Sequence, residues 1–150
     1  MLVFVPLTAD ELAAWAQTGH HRPARGYAVT PSLSAAFGFG PADAEDAEHT
    51  ALHIAGLAGL LDAGRRLVAV AEASATPVAS SEFGQVRLGA LPWSSVTALF
   101  ADDDPGIADD LRGRLGGVAL EAAWDDPVLA DFLGENELLW HGASEWQALL

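Results

Sequence analysis

The sequence predicts one α+β domain over residues 1–150, a mixed sheet of about four to six strands with helices packed on it. Three observations predict it. The chain has 150 residues of which 51% are hydrophobic, enough for a single core of ordinary size. Short apolar runs of strand length are punctuated by helix-capping signals. Their order is clustered: strand–helix, helices, three strands, helices, strand–helix.

Leu2 to Pro6 reads as a strand, being short, apolar and partly β-branched. Thr8-Ala-Asp-Glu11 follows as a capping box, with Leu7 and Leu12 placed for a hydrophobic staple. Leu12 and Trp15 share one helical face, and Gly19 stops that helix. His20 to Gly26 reads as a polar loop and Tyr27 to Val29 as a short strand. Thr30-Pro31 starts a short helix, cap then first-turn proline, which ends at Gly38. Asp43 to Ala63 is the longest helix expected. Its acidic first turns suit the positive end of the helix dipole, and Ile54, Leu57 and Leu61 make an apolar stripe widened by Ala47, Ala51 and Ala58. Gly64 closes it.

Leu67 to Ala71 is apolar on both faces and reads as a central strand. After a loop over Ser74 to Glu82, Gln85 to Ala90 alternates like a strand with one wet face, and Val96 to Ala101 is a further apolar strand. Asp104-Pro105 caps a helix expected to reach about Leu115, with Gly116-Gly117 breaking it. Asp126-Pro127 starts another helix, with Val128, Leu129 and Phe132 on its apolar side. Leu138 to Trp140 reads as the last strand, and Ser144-x-x-Gln147 as a capping box for a C-terminal helix.

Composition excludes several functions. Seven basic residues, all arginine, stand against 21 acidic ones, a formal charge of −14. Such a field repels nucleic acid and anionic membranes and favours solubility. Zero cysteines exclude disulfides, thiolate catalysis and cysteine-ligated metal. No apolar stretch reaches the ~20 residues of a membrane span, and the opening segment lacks the basic start of a signal peptide. A cytoplasmic location is expected. Lysine is absent and Asn136 is the one asparagine, the joint loss expected of a GC-rich genome.

Few residues point to chemistry. Glu45, His49 and His53 recur every fourth position on the long helix, beside Asp46. Two imidazoles at that spacing can chelate Zn²⁺, Ni²⁺ or Cu²⁺, with Glu45 as an oxygen ligand. The wheel sets this row opposite Ile54 and Leu61, so a solvated Glu–His face is the simpler reading, and no metal or other cofactor is expected. Asp102 to Asp104 with Asp109 and Asp110 fail the calcium-loop template, which requires glycine and glutamate where Ile107 and Gly113 stand. They read as a solvated turn with a cap. His141, Ser144 and Glu145 lie close in sequence, but no GxSxG surrounds Ser144. Phosphate loops are absent. Arg22 and Arg25 form the single basic cluster, able to hold a phosphate or carboxylate or to pair with the chain's own acids. Trp146, Leu149 and Leu150 are apolar enough to dock on the chain's own core or on another subunit.

Taken together, Val3 to Thr8 (VFVPLT), Ala28 to Leu33 (AVTPSL), Arg65 to Ala71 (RRLVAVA), Val86 to Val96 (VRLGALPWSSV) and Glu137 to Glu145 (ELLWHGASE) resemble, in that order, a family of small uncharacterised actinobacterial proteins, a domain of unknown function. The resemblance implies no activity and carries over no catalytic residue. That family's pattern has no histidine pair where His49 and His53 stand. The expectation is a small acidic cytoplasmic protein acting by protein–protein or ligand binding, its partner an unidentified protein or a second copy in a homodimer. The alternative is a small hydrolytic or metal-assisted enzyme.

Overall fold

The computed structural model describes residues 1–150, the side chain of Arg112 excepted. In chain order the regular elements are β1 (Leu2–Pro6), α1 (Ala9–Thr18), β2 (His20–His21), β3 (Gly26–Tyr27), α2 (Pro31–Phe37), α3 (Ala44–Ala63), β4 (Leu67–Glu72), β5 (Thr76–Pro77), β6 (Gln85–Arg87), β7 (Leu91–Pro92), β8 (Val96–Ala101), α4 (Arg112–Leu115), α5 (Leu120–Trp124), α6 (Pro127–Glu135) and β9 (Leu139–His141). A 3₁₀ helix, Ala143–Leu149, ends the chain.

Alternation along the central strands sets the layers. β1 and β4 pair antiparallel from Leu2↔Glu72 to Pro6↔Val68. Val3, Val5, Leu67, Ala69 and Ala71 point to one face of the sheet, and Phe4, Val68 and Val70 to the other. The first face packs against Leu12 and Trp15 of α1 and Leu149 of the terminal 3₁₀ helix. The second packs against α3 through Ala51, Leu52, Ile54, Ala55 and Ala58. The outer side of α3 is covered in turn, since Leu57 and Leu60 meet Leu115, Ala123, Leu129 and Phe132. From Ala51 onward α3 is therefore enclosed nearly all round, whereas its acidic first turns stay exposed.

Seven strands form one sheet in the order β5-β6-β3-β1-β4-β8-β9, and β2 pairs with β7 in a separate ribbon. The α+β class stands, as does an assembly of several helices on one multi-stranded sheet. Two details of the expected sheet are corrected. Seven strands replace the four to six expected, and each pairing is antiparallel rather than mixed. The strand expected at Tyr27 to Val29 is present as β3, shifted to Gly26–Tyr27, and the added strand is β5, a two-residue piece in the loop expected over Ser74 to Glu82. Strands so short leave no period-two signal and form only where a longer neighbour offers its backbone. The loop expected at His20 to Gly26 likewise contributes β2, because His20 and His21 find Pro92 and Leu91 opposite them.

The capping signals are realised as hydrogen bonds. Glu11 N–H donates to Thr8 Oγ1 at 3.1 Å and Thr8 N–H donates to Glu11 Oε1 at 3.0 Å. Leu33 N–H donates to Thr30 Oγ1 at 3.2 Å, and Val128 N–H to Asp126 Oδ1 at 2.8 Å. Gly19, Gly38 and Gly64 close α1, α2 and α3 with φ of 86°, 73° and 73°, the left-handed conformation that glycine adopts without a Cβ penalty.

Three expected elements come out differently. The helix from Asp104 to Leu115 is broken: Asp104 Oδ1 accepts from Gly106 N–H at 2.9 Å, a 3₁₀ turn follows at Asp109–Leu111, and only Arg112–Leu115 is α-helical. Aspartates and glycines here compete with the helical ladder through local turns. At the C-terminus the helix is 3₁₀, and Glu145 rather than Ser144 secures its start, its Oε2 accepting from Gly142 N–H at 2.6 Å. On α6, Leu129 and Phe132 are buried but Val128 faces outward. Among the described residues no helix is long and apolar enough to cross a membrane.

Removing the α1 cap isolates one local term. Thr8→Ala should destabilise the fold by about 1 kcal/mol, read as a lower urea midpoint with unchanged slope. An unshifted midpoint would show that the Thr8 bond contributes nothing.

Candidate functional site

α3 packs mainly on β3, β1 and β4 and leaves the β8–β9 side of the same face partly open, with Ala98 buried, Phe100 half-buried and Trp140 exposed. The acidic first turns of α3 lie at that margin, where burial would strip water from unpaired carboxylates. Between helix and sheet a cleft of about 320 Å³ remains open to solvent. Its floor is apolar: Leu2 and Phe4 from β1, Val70 from β4, Ala98 and Phe100 from β8. Leu52, Glu45, Glu48 and His49 line it from α3, and Trp140 from the edge strand β9. Strand register explains the floor. Phe4 pairs with Val70, Val70 with Ala98, and Phe100 with Trp140, so these side chains share one face.

Trp140 is 63% exposed, the most open of the five tryptophans. Trp15 is buried and donates its Nε1–H to the Leu91 carbonyl at 3.0 Å, while Trp93, Trp124 and Trp146 are half-buried. A neighbouring edge residue, Leu139, is 42% exposed. Leu139 pairs with Ala101 and so points to the opposite face of β9, which leaves Trp140 as the exposed large side chain at the cleft.

A buried ion pair holds the cleft's two walls in place. Arg66 and Asp102 extend the β4–β8 ladder by one pair beyond Leu67↔Ala101, and both side chains are almost wholly buried, 0% and 1% exposed. Arg66 Nε–H and Nη2–H donate to Asp102 Oδ1 at 3.0 and 2.5 Å, and Arg66 N–H donates to Asp102 Oδ2 at 3.2 Å. Nη2 also donates to the carbonyl of Asn136, at the junction between α6 and β9. The guanidinium lies 5.0 Å from the Phe132 ring centre, a cation–π contact in a dry setting. Its alkyl stem runs over Gly56 of α3, where an added Cβ would come within 3.5 Å of Arg66 Cδ and 3.3 Å of Leu138 Cδ1. One side chain thus fastens the sheet, α3, α6 and the approach to β9. Sequence reasoning missed this pair, giving Arg66 no role and reading Asp102 as part of a solvated turn. Asp102 is corrected to a buried residue. The available signal was a charge directly flanking each of two apolar strands.

The other residues singled out in the sequence separate in space. His49 and His53 do come together, Nε2 to Nε2 at 2.9 Å, so one ring donates and the other accepts. The row does not face water throughout: His49 is exposed, but His53 is half-buried. Burial, then His49, then the charge of Arg66 push the His53 pKa down to about 4. Glu45 lies on the cleft rim. Among the described residues no three His, Cys, Asp or Glu side chains converge on a point that a metal could occupy. Arg25 pairs with Asp62 on α3, whereas Arg22 is exposed. His141 turns its Nδ1 to the Leu139 carbonyl at 3.0 Å rather than towards Ser144. Leu149 is buried in its own chain's core, Trp146 packs beside it, and Leu150 is 55% exposed.

Residues 1–150 match a family of unknown function, DUF6912. The chain belongs to that family, in keeping with its resemblance to uncharacterised proteins. No curated protein and no solved structure matches it.

Two expectations concern the residues behind the cleft. Asp102→Ala would strand Arg66 as a buried cation and should cost about 3–5 kcal/mol, whereas the double change Arg66→Met, Asp102→Leu should recover most of that loss. Urea unfolding of the three proteins tests this, and equal losses in the single and double variants would count against a coupled pair. His53 should make stability fall with acid. Its folded pKa lies below the ordinary 6.5, so between those values the unfolded chain binds a proton that the native state does not. The contribution is full above the ordinary value and declines as pH falls towards the folded one. His53→Gln should therefore lose less stability than the wild type between about pH 7 and about pH 5. Parallel losses in the two proteins would contradict it.

Proposed function

We propose that this member of a family of unknown function acts by binding a partner protein, through the cleft and the Trp140 edge beside it. The observation that carries the reading is Trp140, 63% exposed over an apolar floor. A tryptophan offers large buried area and a polar tip at little entropic cost, which is why it dominates interface energetics. The free edge of β9 adds unpaired backbone donors and acceptors on which a partner strand can register. The cleft is open along one side, which suits a surface-borne side chain better than a small molecule needing enclosure.

The reading extends to setting. A cytoplasmic protein of actinobacterial origin fits zero cysteines, strong acidity and the joint loss of lysine and asparagine. The partner is a different protein or a second copy. With Leu149 committed to its own core, a homodimer would use the Trp140 face rather than the C-terminal segment. The enzyme alternative would need a nucleophile and base in contact, and His141 is engaged instead with a backbone carbonyl.

Affinity capture from native lysate with the wild type and with Trp140→Ala tests this. A specific partner should be retained by the first and reduced at least about tenfold by the second, the loss expected on truncating a central interface tryptophan. Light scattering on both proteins tells whether that partner is the chain itself. A wild type that is monomeric and captures nothing dependent on Trp140 would overturn the proposal.

A further inference from the structure

The walls of the cleft differ in character, and the difference restricts what can lie there. The sheet side is apolar. The helix side presents Glu45 and Glu48, three residues apart and hence neighbours on the α3 surface. Both are exposed, and neither forms an ion pair among the described residues. Glu45 sits in the first turn of α3, where a carboxylate complements the helix dipole. Glu48 lies one turn further in and has no such role. Glu72 adds a third carboxylate at the far end, since it pairs with Leu2 across β1–β4 and shares its face, although it is engaged by the Met1 amino group at 3.4 Å.

Among the described residues no basic side chain pairs with this wall. Arg66, close enough to His53 to affect its pKa, is buried and spent on Asp102. The remaining group on the rim, His49, is in a hydrogen bond with His53. The whole-molecule charge of −14 acts in the same direction, attracting cations and opposing a second copy that would bring an identical acidic wall.

We infer that the cleft receives a basic segment of a partner protein. Its apolar or aromatic side chain lies on the Leu2–Phe4–Phe100 floor against Trp140, and an adjacent arginine or lysine pairs with Glu45 and Glu48. This rests on the reading of the Trp140 face as a binding surface and adds the chemistry of what binds there. The apolar floor supplies most of the affinity, and the carboxylates supply orientation and discrimination against acidic partners.

Three capped peptides of equal length test it, each with a central Phe-Leu pair flanked by arginine, by glutamine or by glutamate, titrated into the full chain by calorimetry. The arginine peptide should bind about fivefold more tightly than the glutamine peptide, the size of two partly exposed ion pairs, and the glutamate peptide more weakly than either. Raising salt from about 0.05 M to about 0.5 M should erase the arginine advantage. Glu45→Gln with Glu48→Gln should reduce the arginine peptide to the level of the glutamine peptide, with no more than the small drop in melting temperature expected from losing a first-turn carboxylate. Glu82→Gln with Glu121→Gln, exposed acids elsewhere, changes net charge equally and should leave the preference intact. Trp140→Ala should weaken the arginine and glutamine peptides alike. Equal binding of these two peptides to the wild type would overturn the inference while leaving a Trp140-dependent partner standing. The same loss in both double-glutamine variants would reduce the preference to bulk charge and overturn it as well. Failure of all three peptides to bind would reject a linear basic segment, and the capture experiment decides separately whether the face binds at all.

Discussion

The Arg66–Asp102 pair is the constraint on which the rest of the structure depends. A fully buried ion pair gains little net stability, because desolvating two charges offsets most of their attraction. Its consequence is specificity. Once Arg66 is inside, its donors must be met at fixed places, and Asp102, the Asn136 carbonyl and the Phe132 ring meet them. The provision is incomplete, since Nη1 is buried without a hydrogen-bond partner among the described residues. A slipped β4–β8 register or a displaced α6 would leave more of the guanidinium unmet. The pair therefore acts on sheet register, helix placement and the course of the chain into β9 together.

The cleft follows from that arrangement and from a conflict within α3. The helix begins with exposed acids and is enclosed from Ile54 to Leu60, where Leu57 and Leu60 meet the outer helices. Its second half can lie between sheet and outer helices at no cost in unpaired charge. Its first half cannot, so it stays at the margin, and the sheet beyond it is only partly covered. β9 then supplies Trp140 to the exposed strip. What makes the site is a local refusal to be buried on one side and a strand delivered by Arg66 on the other.

His49 and His53 lie just behind this wall. Burial first, then His49 and the Arg66 charge, push the His53 pKa down. The spacing of the two histidines suggested metal, but in the fold the same spacing supplies a hydrogen bond between the two imidazoles. The apolar floor, exposed carboxylates and exposed tryptophan together support the proposal of a docking surface.

Much of the fold was legible in the chain. Capping bonds at Thr8, Thr30 and Asp126, the helix-closing glycines and the longer strands depend on contacts within a few residues, so local patterns suffice to read them. The two-residue strands β2, β5 and β7, the split of Asp104–Leu115 and the outward turn of Val128 depend on what lies across the fold or on weak local competition, and periodicity carries no trace of either. The site was the least legible part. Glu45 and His49 stood out, but for metal chemistry, while Trp140 read as one more strand residue and Asp102 as a wet turn. Phe100 and Trp140 are forty residues apart, and Arg66 and Asp102 thirty-six; only sheet register brings them together. The sequence by itself determined an acidic, cysteine-free α+β domain with well-marked helix ends, because charge balance and capping are local or additive properties. Which apolar side chains remain uncovered, and beside which charges, was decided by tertiary structure alone, because exposure is what is left after every other element has chosen its neighbour.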